Sequence, residues 1–385
     1  MSRRKFGRGG FVMKILFAGG GTAGHINPAL AIAGYVKQQQ PQAEILYVGA
    51  KGGMEGKLVP KAGYAYQEIA ISGFQRKLNW EGFKKNLRTL KLLVTSSAAS
   101  KKIIRSFAPD ICVGTGGYVS GPVLRAAAKL GVPIVIHEQN AYPGVTNKML
   151  AKYASKVFLT VEDAKKYLPQ GCPWVVTGNP VRAEFLTAQR EEARKKLRLD
   201  TRPVILSFGG SLGARKINEA VADLIAWSAK EDRYQHIHAY GQYGKWFPQR
   251  LEEKGVRLAQ HPNLDIREYI DDIADCFAAA DLVICRAGAG TLSELQAQGR
   301  ASILIPSPNV AENHQYHNAM ALVRRQAASI LEEKDLTGQR LISMVDEMVS
   351  HPDVLRAYQA NAKKMAITDS SERIYRGICE VLSKK

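Results

Sequence analysis

The sequence predicts an α/β protein built from two doubly wound, Rossmann-like parallel-sheet domains. Three observations predict it. Short apolar runs, of the kind buried on both faces, alternate with helical patterns along most of the chain. The first run of each half empties into a glycine loop and then a helix: Ile15–Ala18 into Gly19–His25, and Val204–Phe208 into Gly209–Ala214. A chain of 385 residues also exceeds one ordinary core.

Residues 1–12 are rich in Arg, Lys and Gly and lack the apolar centre of a signal peptide. They read as a disordered basic tail, with Met13 an alternative start. The five cysteines (Cys112, Cys172, Cys276, Cys285, Cys379) are scattered and sit mostly in apolar runs, which suggests reduced thiols and a cytoplasmic setting. No apolar run is long enough to span a bilayer. The formal charge of +19 points to an anionic partner: nucleic acid, a membrane surface or a phosphorylated substrate.

The first domain is expected over 13–180, with strands at Ile15–Ala18, Ile45–Val48, Gln67–Ile71, Ile111–Val113, Ile134–Ile136, Val157–Leu159 and Trp174–Val176. After the first strand comes Gly19-Gly20-Gly21-Thr22-Ala23-Gly24-His25, with Asn27 placed to cap a helix and Pro28 at its first position. A glycine turn feeding a helix N-terminus suits a phosphate or diphosphate. A phosphate cradle has no use for the closing imidazole of His25, but a proton transfer does. The loop also matches the dinucleotide fingerprint. That motif needs an acid at the end of the second strand, and Glu44 stands at the wrong end.

In Ser72–Phe107 the apolar Phe74, Leu78, Trp80 and Phe83 interleave with cations that include Lys84 and Lys85. Such mixing suits a surface dipping into anionic headgroups: Phe74–Trp80, with no clean helical period, reads as an exposed membrane-facing loop, while after Phe83 a core-facing helix with a basic outer side is an equal alternative. No nucleic-acid reading motif accompanies the charge. A second glycine loop, Gly114–Pro122, follows the fourth strand. On a neighbouring strand it would enlarge the same anion pocket. His137-Glu138-Gln139-Asn140 then places four polar residues at the end of the fifth strand.

The second domain is expected over 181–366, with strands at Val204–Phe208, His236–Tyr240, Leu264–Glu268, Leu282–Cys285 and Ile303–Ile305. Asn179-Pro180-Val181-Arg182 marks the joint, followed by a charged helix over Arg190–Arg198, and Arg182 there can reach a phosphate. Ligands are expected beyond the carboxyl ends of the strands, in the cleft between the domains. Ser211 adds a hydroxyl to the loop Gly209–Ala214. In Cys285–Glu294 small residues let a ligand touch backbone, and Glu294 can accept both hydroxyls of a ribose. Glu312–Asn318 is dense in hydrogen-bonding side chains and suits a sugar. His236-x-His238 lies on a strand without an evident third ligand, so a structural role is expected. The P-loop signature and the Asp-x-Asp triplet are both missing.

These motifs, in this order, resemble the MurG family, the bacterial UDP-N-acetylglucosamine transferases of peptidoglycan synthesis. The matching stretches are Gly20–His25, Gly116–Pro122, His137–Asn140, Gly178–Arg182, Gly209–Ala214, Arg286–Glu294 and Gln315–Asn318. The resemblance implies a GT-B fold: two Rossmann-like domains facing across a cleft, with a C-terminal helix (367–385) returning to the first. It implies inverting transfer of GlcNAc from UDP-GlcNAc to the C4 hydroxyl of MurNAc in undecaprenyl-linked lipid I, giving lipid II without a metal cofactor. It implies an enzyme held peripherally on the cytoplasmic face of the cell inner membrane, with other cell-wall synthesis proteins as partners and no role for nucleic acid.

Carried over by position, Thr22, Ala23 and Gly24 lie near the donor–acceptor junction. Asn140, Arg182 and Ser211 match donor contacts, and the Ile270 backbone reads the uracil. Ala289, Gly290, Thr291, Leu292, Ser293 and Glu294 match the ribose and sugar loop, and Gln315 and Asn318 match GlcNAc contacts. Gly21, Gly116, Gly117, Tyr118 and Ser120 would hold the lipid diphosphate. His25 is the first candidate base and Glu138 the second. The family commonly has glycine where Ala23 stands and Gln where Leu212 and His314 stand. An isomerase of the UDP-GlcNAc 2-epimerase type would share fold and donor but need no apolar–basic surface. A lipid glycosyltransferase using diacylglycerol would share that surface but need no diphosphate pocket.

Overall fold

The computed structural model describes residues 12–71 and 95–384. The tail 1–11 and the candidate membrane residues Phe74, Leu78, Trp80, Phe83, Lys84 and Lys85 lie outside the described residues. Internal contacts divide the chain into one unit of residues 1–180 with 369–385 and a second of 181–368.

The first unit carries β1 (Lys14–Gly19), α1 (Ala23–Gln39), β2 (Glu44–Ala50), α2 (Glu55–Lys61), β3 (Ala65–Ile69), a helix α3 over residues 95–107, β4 (Ile111–Gly116), α4 (Ser120–Lys129), β5 (Ile134–Glu138), α5 (Val145–Ala151), β6 (Lys156–Leu159) and β7 (Trp174–Val176). Its sheet is parallel in the order β3-β2-β1-β4-β5-β6-β7, so the winding reverses between β1 and β4. β1 is buried on both faces, as its unbroken apolar run predicts. Ile15 and Phe17 pack with Ile26, Ile32 and Val36 of α1, while Leu16 and Ala18 pack with Val123 and Leu124 of α4. Each of the larger of these side chains, Ile, Leu, Val or Phe, contributes about 1.5–3 kcal/mol.

The second unit carries α6 (Ala183–Thr187), α7 (Arg190–Lys196), β8 (Val204–Phe208), α8 (Arg215–Ser228), β9 (Gln235–Ala239), α9 (Phe247–Glu253), β10 (Leu264–Arg267), α10 (Ile273–Ala279), β11 (Leu282–Cys285), α11 (Ala289–Gln298), β12 (Ala301–Leu304), α12 (His314–Val323), β13 (Ser329–Ile330), α13 (Gly338–Ser350) and α14 (Pro352–Lys364). The order β10-β9-β8-β11-β12-β13 repeats the reversal, here between β8 and β11. The last helix, α15 (Ser370–Ser383), belongs to the first unit. Ile374, Ile378, Val381 and Leu382 recur at helical spacing and bury against the α1 side of its sheet.

Three expectations are corrected. α1 begins at Ala23, not at Pro28, with Thr22 in extended conformation as its N-cap. Pro28 therefore sits inside the helix, where it cannot donate to the Gly24 carbonyl; its burial under the sheet outweighs that loss. β3 is Ala65–Ile69, two residues earlier than its pattern suggests, because Leu46–Ala50 of β2 sets its register. β13, not among the expected strands, is only two residues long and pairs in parallel with Ile303 and Leu304 of β12.

Candidate active site

In the first unit, three strand ends bring the chemistry together. β1 is hydrogen-bonded to β4, and β4 to β5, so the two glycine loops and the polar run His137–Asn140 lie side by side. The glycine loops touch backbone to backbone: the Gly20 N–H donates to the Gly116 carbonyl at 3.3 Å. Gly117, at φ +79, lies so close that a Cβ there would stand 2.2 Å from the Gly20 oxygen. Thr22, Ala23 and Gly24 are exposed at the start of α1, and the Ala23 and Gly24 N–H groups lie ahead of the first intrahelical bonds. The positive end of a 17-residue helix is thus open to an anion.

His25 is half-buried in the first turn of this helix. Thr115 Oγ1 donates to its carbonyl at 2.8 Å, and its ring lies against Gly116, where a Cβ would meet it at 2.9 Å. Its Nδ1 is 3.0 Å from Gln139 Oε1. Gln139 Nε2 reaches His137 Nδ1 at 3.0 Å and the His137 carbonyl at 2.9 Å. His137 Nε2 in turn meets the Gly178 carbonyl at 3.0 Å. His137 and Gln139 are buried, and burial pushes the His137 imidazole down to about 4, which keeps it neutral.

Several expected contacts are committed elsewhere. The Glu138 carboxylate is buried and accepts from Asn140 N, Asn140 Nδ2, Gly144 N and Asn147 Nδ2 at 2.8–3.2 Å. It ties the loop after β5 to α5. Four donors hold it in place as an acceptor, which suits an anchor. Ser120 is also buried, and its hydroxyl faces the Ala18 and Gly116 carbonyls, both at 2.7 Å. It stitches β1 to β4. The Gly21 N–H points at Glu55 Oε2 (3.3 Å), while Glu55 Oε1 accepts from Ala50 N (2.9 Å). Tyr118 packs its ring on Gly21. Gly116, Gly117, Tyr118 and Gly21 therefore form a wall beside the α1 N-terminus. An acid does stand beyond the second strand, Glu55, but it is buried and holds the loop's own amides.

The second unit repeats the arrangement at the ends of β8, β11 and β12. Ser211 is exposed in the turn closed by Gly213 N to Gly210 O at 2.9 Å, just before the uncapped N-terminus of α8. Ile270 is buried, beside the exposed Tyr269. The α11 N-terminus presents the amides of Ala289, Gly290 and Thr291 ahead of its first intrahelical bond, Leu292 N to Gly288 O. The side chains of Leu292 and Ser293 are buried, and Ser293 Oγ donates to the Ala289 carbonyl.

Arg182 does not stand free for a phosphate. Its Nε and Nη2 both bond Glu294 Oε1, at 3.1 and 3.0 Å, its Nη1 meets Glu184, and its guanidinium lies over the Phe185 ring. The fork holds Glu294 by one oxygen, Oε1. Burial pushes the Glu294 carboxyl up, opposed by Arg182. Gln315 Oε1 accepts from Ser307 N at 2.9 Å, and the buried Asn318 donates to the Ala287 carbonyl at 3.2 Å. Both therefore brace the loops around the α11 N-terminus. Ahead of α12, Glu312 and Asn313 take consecutive left-handed conformations (φ +54 and +48), strain of a kind that collects at binding sites. His236 and His238 have the structural role expected: both are fully buried and share Ser207 Oγ, each at 2.8 Å.

Sequence reasoning missed Glu55, Thr115 and Asn147, whose roles depend on which loop each one meets. Gln139 was legible in part. Period-two alternation puts it on the face of His137, opposite Glu138 and Asn140. Among the described residues no group of three His, Cys, Asp or Glu could hold a metal, and no helix is long and apolar enough to cross a membrane.

Known proteins match along nearly the whole chain. Residues 15–159 match the glycosyltransferase family 28 N-terminal domain, and 204–374 match the family 28 C-terminal domain. A relative from Acetivibrio thermocellus is 44% identical over 97% of this chain and 99% of its own length. One from Bacillus cytotoxicus is 40% identical over 97% of this chain and all of its own. Both are named UDP-N-acetylglucosamine–N-acetylmuramyl-(pentapeptide) pyrophosphoryl-undecaprenol N-acetylglucosamine transferase. The crystal structure of Acinetobacter baumannii MurG superposes with a TM-score of 0.75 at 28% identity, covering 96% of this chain and 99% of that one. The UDP-GlcNAc 2-epimerase of Neisseria meningitidis bound to UDP-GlcNAc superposes at 0.67 with 12% identity, over 96% of this chain and all of that one, a likeness of fold alone.

Proposed function

The chain belongs to glycosyltransferase family 28, as a member of its MurG family with the GT-B fold, and from that membership we propose that it moves GlcNAc from UDP-GlcNAc to the C4 hydroxyl of MurNAc in lipid I, giving lipid II with inversion. The observation that carries this reading is full-length similarity joined to His25, a base-capable side chain in the first turn of an exposed, uncapped helix N-terminus at the switch point of the first sheet.

In the proposed mechanism the first unit takes the acceptor. The α1 N-terminus and the wall Gly116–Tyr118 hold its diphosphate. His25 removes the C4 proton as that oxygen attacks the anomeric carbon. The bond from this carbon to the UDP oxygen breaks, and its electron pair leaves with UDP. The second unit takes the donor. The α8 and α11 N-termini stabilise the charge gathering on the diphosphate, work that a metal does in other transferases. Glu294, aimed by Arg182, binds the ribose, and the Ile270 backbone reads the base. Ser211, Gln315 and Asn318 border the diphosphate and sugar, and Asn140 borders the reacting centre. Glu138 acts as the anchor of the Asn140 loop.

Attachment to the anionic cytoplasmic face of the cell membrane is assigned to the segment with Phe74, Leu78, Trp80, Phe83, Lys84 and Lys85, whose composition supports it.

The test is transfer of labelled GlcNAc to a short-chain lipid I analogue with EDTA present, beside a no-acceptor control. Product formed only with acceptor supports the reading. Conversion of UDP-GlcNAc alone would replace it with an isomerase. Replacing His25 by Ala is expected to lower kcat about 10²–10⁴-fold.

A further inference from the structure

The groups behind His25 form a chain whose far end decides which of its nitrogens carries the proton. The Gly178 carbonyl can only accept, so His137 Nε2 must be the donor of that pair. His137 stays neutral in its buried site, so its Nδ1 is a lone pair. Gln139 Nε2 thus faces two acceptors, His137 Nδ1 and the His137 carbonyl, and must be the amide NH2. Its other end, 3.0 Å from His25 Nδ1, is then the carbonyl oxygen. An oxygen acceptor there requires Nδ1–H.

We propose that Gln139 and His137 are positioning residues that hold His25 as its Nδ1–H tautomer, so that Nε2 presents a lone pair to the acceptor hydroxyl. The proposal deepens the reading of His25 as the base and rests on it. The opposite tautomer would point an N–H at the hydroxyl and could take no proton. When Nε2 receives the C4 proton, the oxygen forms its bond to the anomeric carbon and the electron pair of the broken bond leaves with UDP. His25 becomes imidazolium, Gln139 Oε1 still accepts from Nδ1–H, and nothing must reorganise. The proton then passes from Nε2 to water.

The measurement is long-range ¹H–¹⁵N correlation NMR of the full chain labelled with ¹⁵N-histidine, with the His25 signals identified by their loss in His25→Gln. In the unmodified protein His25 should show a protonated Nδ1 and an unprotonated Nε2. Gln139→Leu should shift His25 towards the other tautomer and lower kcat about tenfold or more, with KM for both substrates little changed. Gln139→Met, which fills similar volume, replaces that variant if it does not fold. An Nε2–H signal in the unmodified protein would overturn the relay even if His25→Ala is inactive. The expected tautomer, with kcat unmoved in the Gln139 variant although the tautomer has shifted, would leave the relay standing and overturn His25 as the base.

Discussion

At the scale of single residues, the site is set by which hydrogen bonds are already taken. Arg182 and Glu294 were both expected on the donor, yet the structure pairs them. The guanidinium fork holds one carboxylate oxygen. Arg182 is half exposed but Glu294 is largely buried, so the cost of desolvating the carboxylate offsets much of the attraction and the pair's net contribution to stability is small. Its effect should fall on binding. Glu294→Gln is expected to lower kcat/KM for UDP-GlcNAc about 10–100-fold, with the melting temperature nearly unmoved. Steady-state kinetics and a thermal melt read the two sides. A large fall in melting temperature with unchanged kcat/KM would make the pair structural. Arg182→Lys should fall between, because an ammonium cannot reproduce the fork.

At the scale of elements, the parallel sheet brings loops from distant sequence into contact, and close backbone approach holds them there. Gly117 is the tightest contact between the two glycine loops of the first unit. Gly117→Ala meets both a left-handed backbone and the Gly20 carbonyl, which cannot swing aside. Gly131 shares the positive φ, +74, but nothing lies within 4 Å of its would-be Cβ, so Gly131→Ala isolates the backbone strain. Gly131→Ala should cost about 1–2 kcal/mol. Gly117→Ala should cost more and raise KM for the lipid acceptor while leaving KM for UDP-GlcNAc in place. Equal costs from denaturant melts, with both KM values unchanged, would remove loop contact from the account.

At the scale of the whole molecule, acid is the weak point. Burial pushes His137 down to about 4, His236 to about 3, and His238 well below its ordinary value. The unfolded chain protonates these imidazoles near pH 6.5, while the folded chain leaves them neutral. Between pH 6.5 and the folded values the unfolded state binds more protons, so stability falls as pH falls. Each histidine adds a slope approaching about 1.4 kcal/mol per pH unit within its window. The second unit, holding two such histidines around Ser207, should be the more acid-sensitive. Urea melts at about pH 7 and about pH 5 should show the loss, and His236→Leu, which no longer titrates, should flatten it. Equal pH slopes for the two proteins would mean that His236 does not set the acid limit.

The sequence alone determined the α/β class, the paired glycine-loop halves and nearly every strand, because apolar runs and glycine turns are local signals. It also placed His25, Glu294 and the polar run His137–Asn140 at strand ends, where a parallel sheet puts its ligands. Pro28 misled it, because a helix that buries enough apolar surface tolerates an internal proline. What it could not decide was direction. Ser120 and Gln315 read as ligand contacts and Glu138 as the second candidate base; in the folded chain each bonds the protein's own backbone, and Glu138 the Asn140 and Asn147 side chains as well. Gln139 read as one polar residue among four, and only its meeting with His25, 114 positions away, gives it a role. A hydrogen bond depends on which loops meet at a sheet's switch point, and that is fixed by strand order and register, quantities that no local pattern carries.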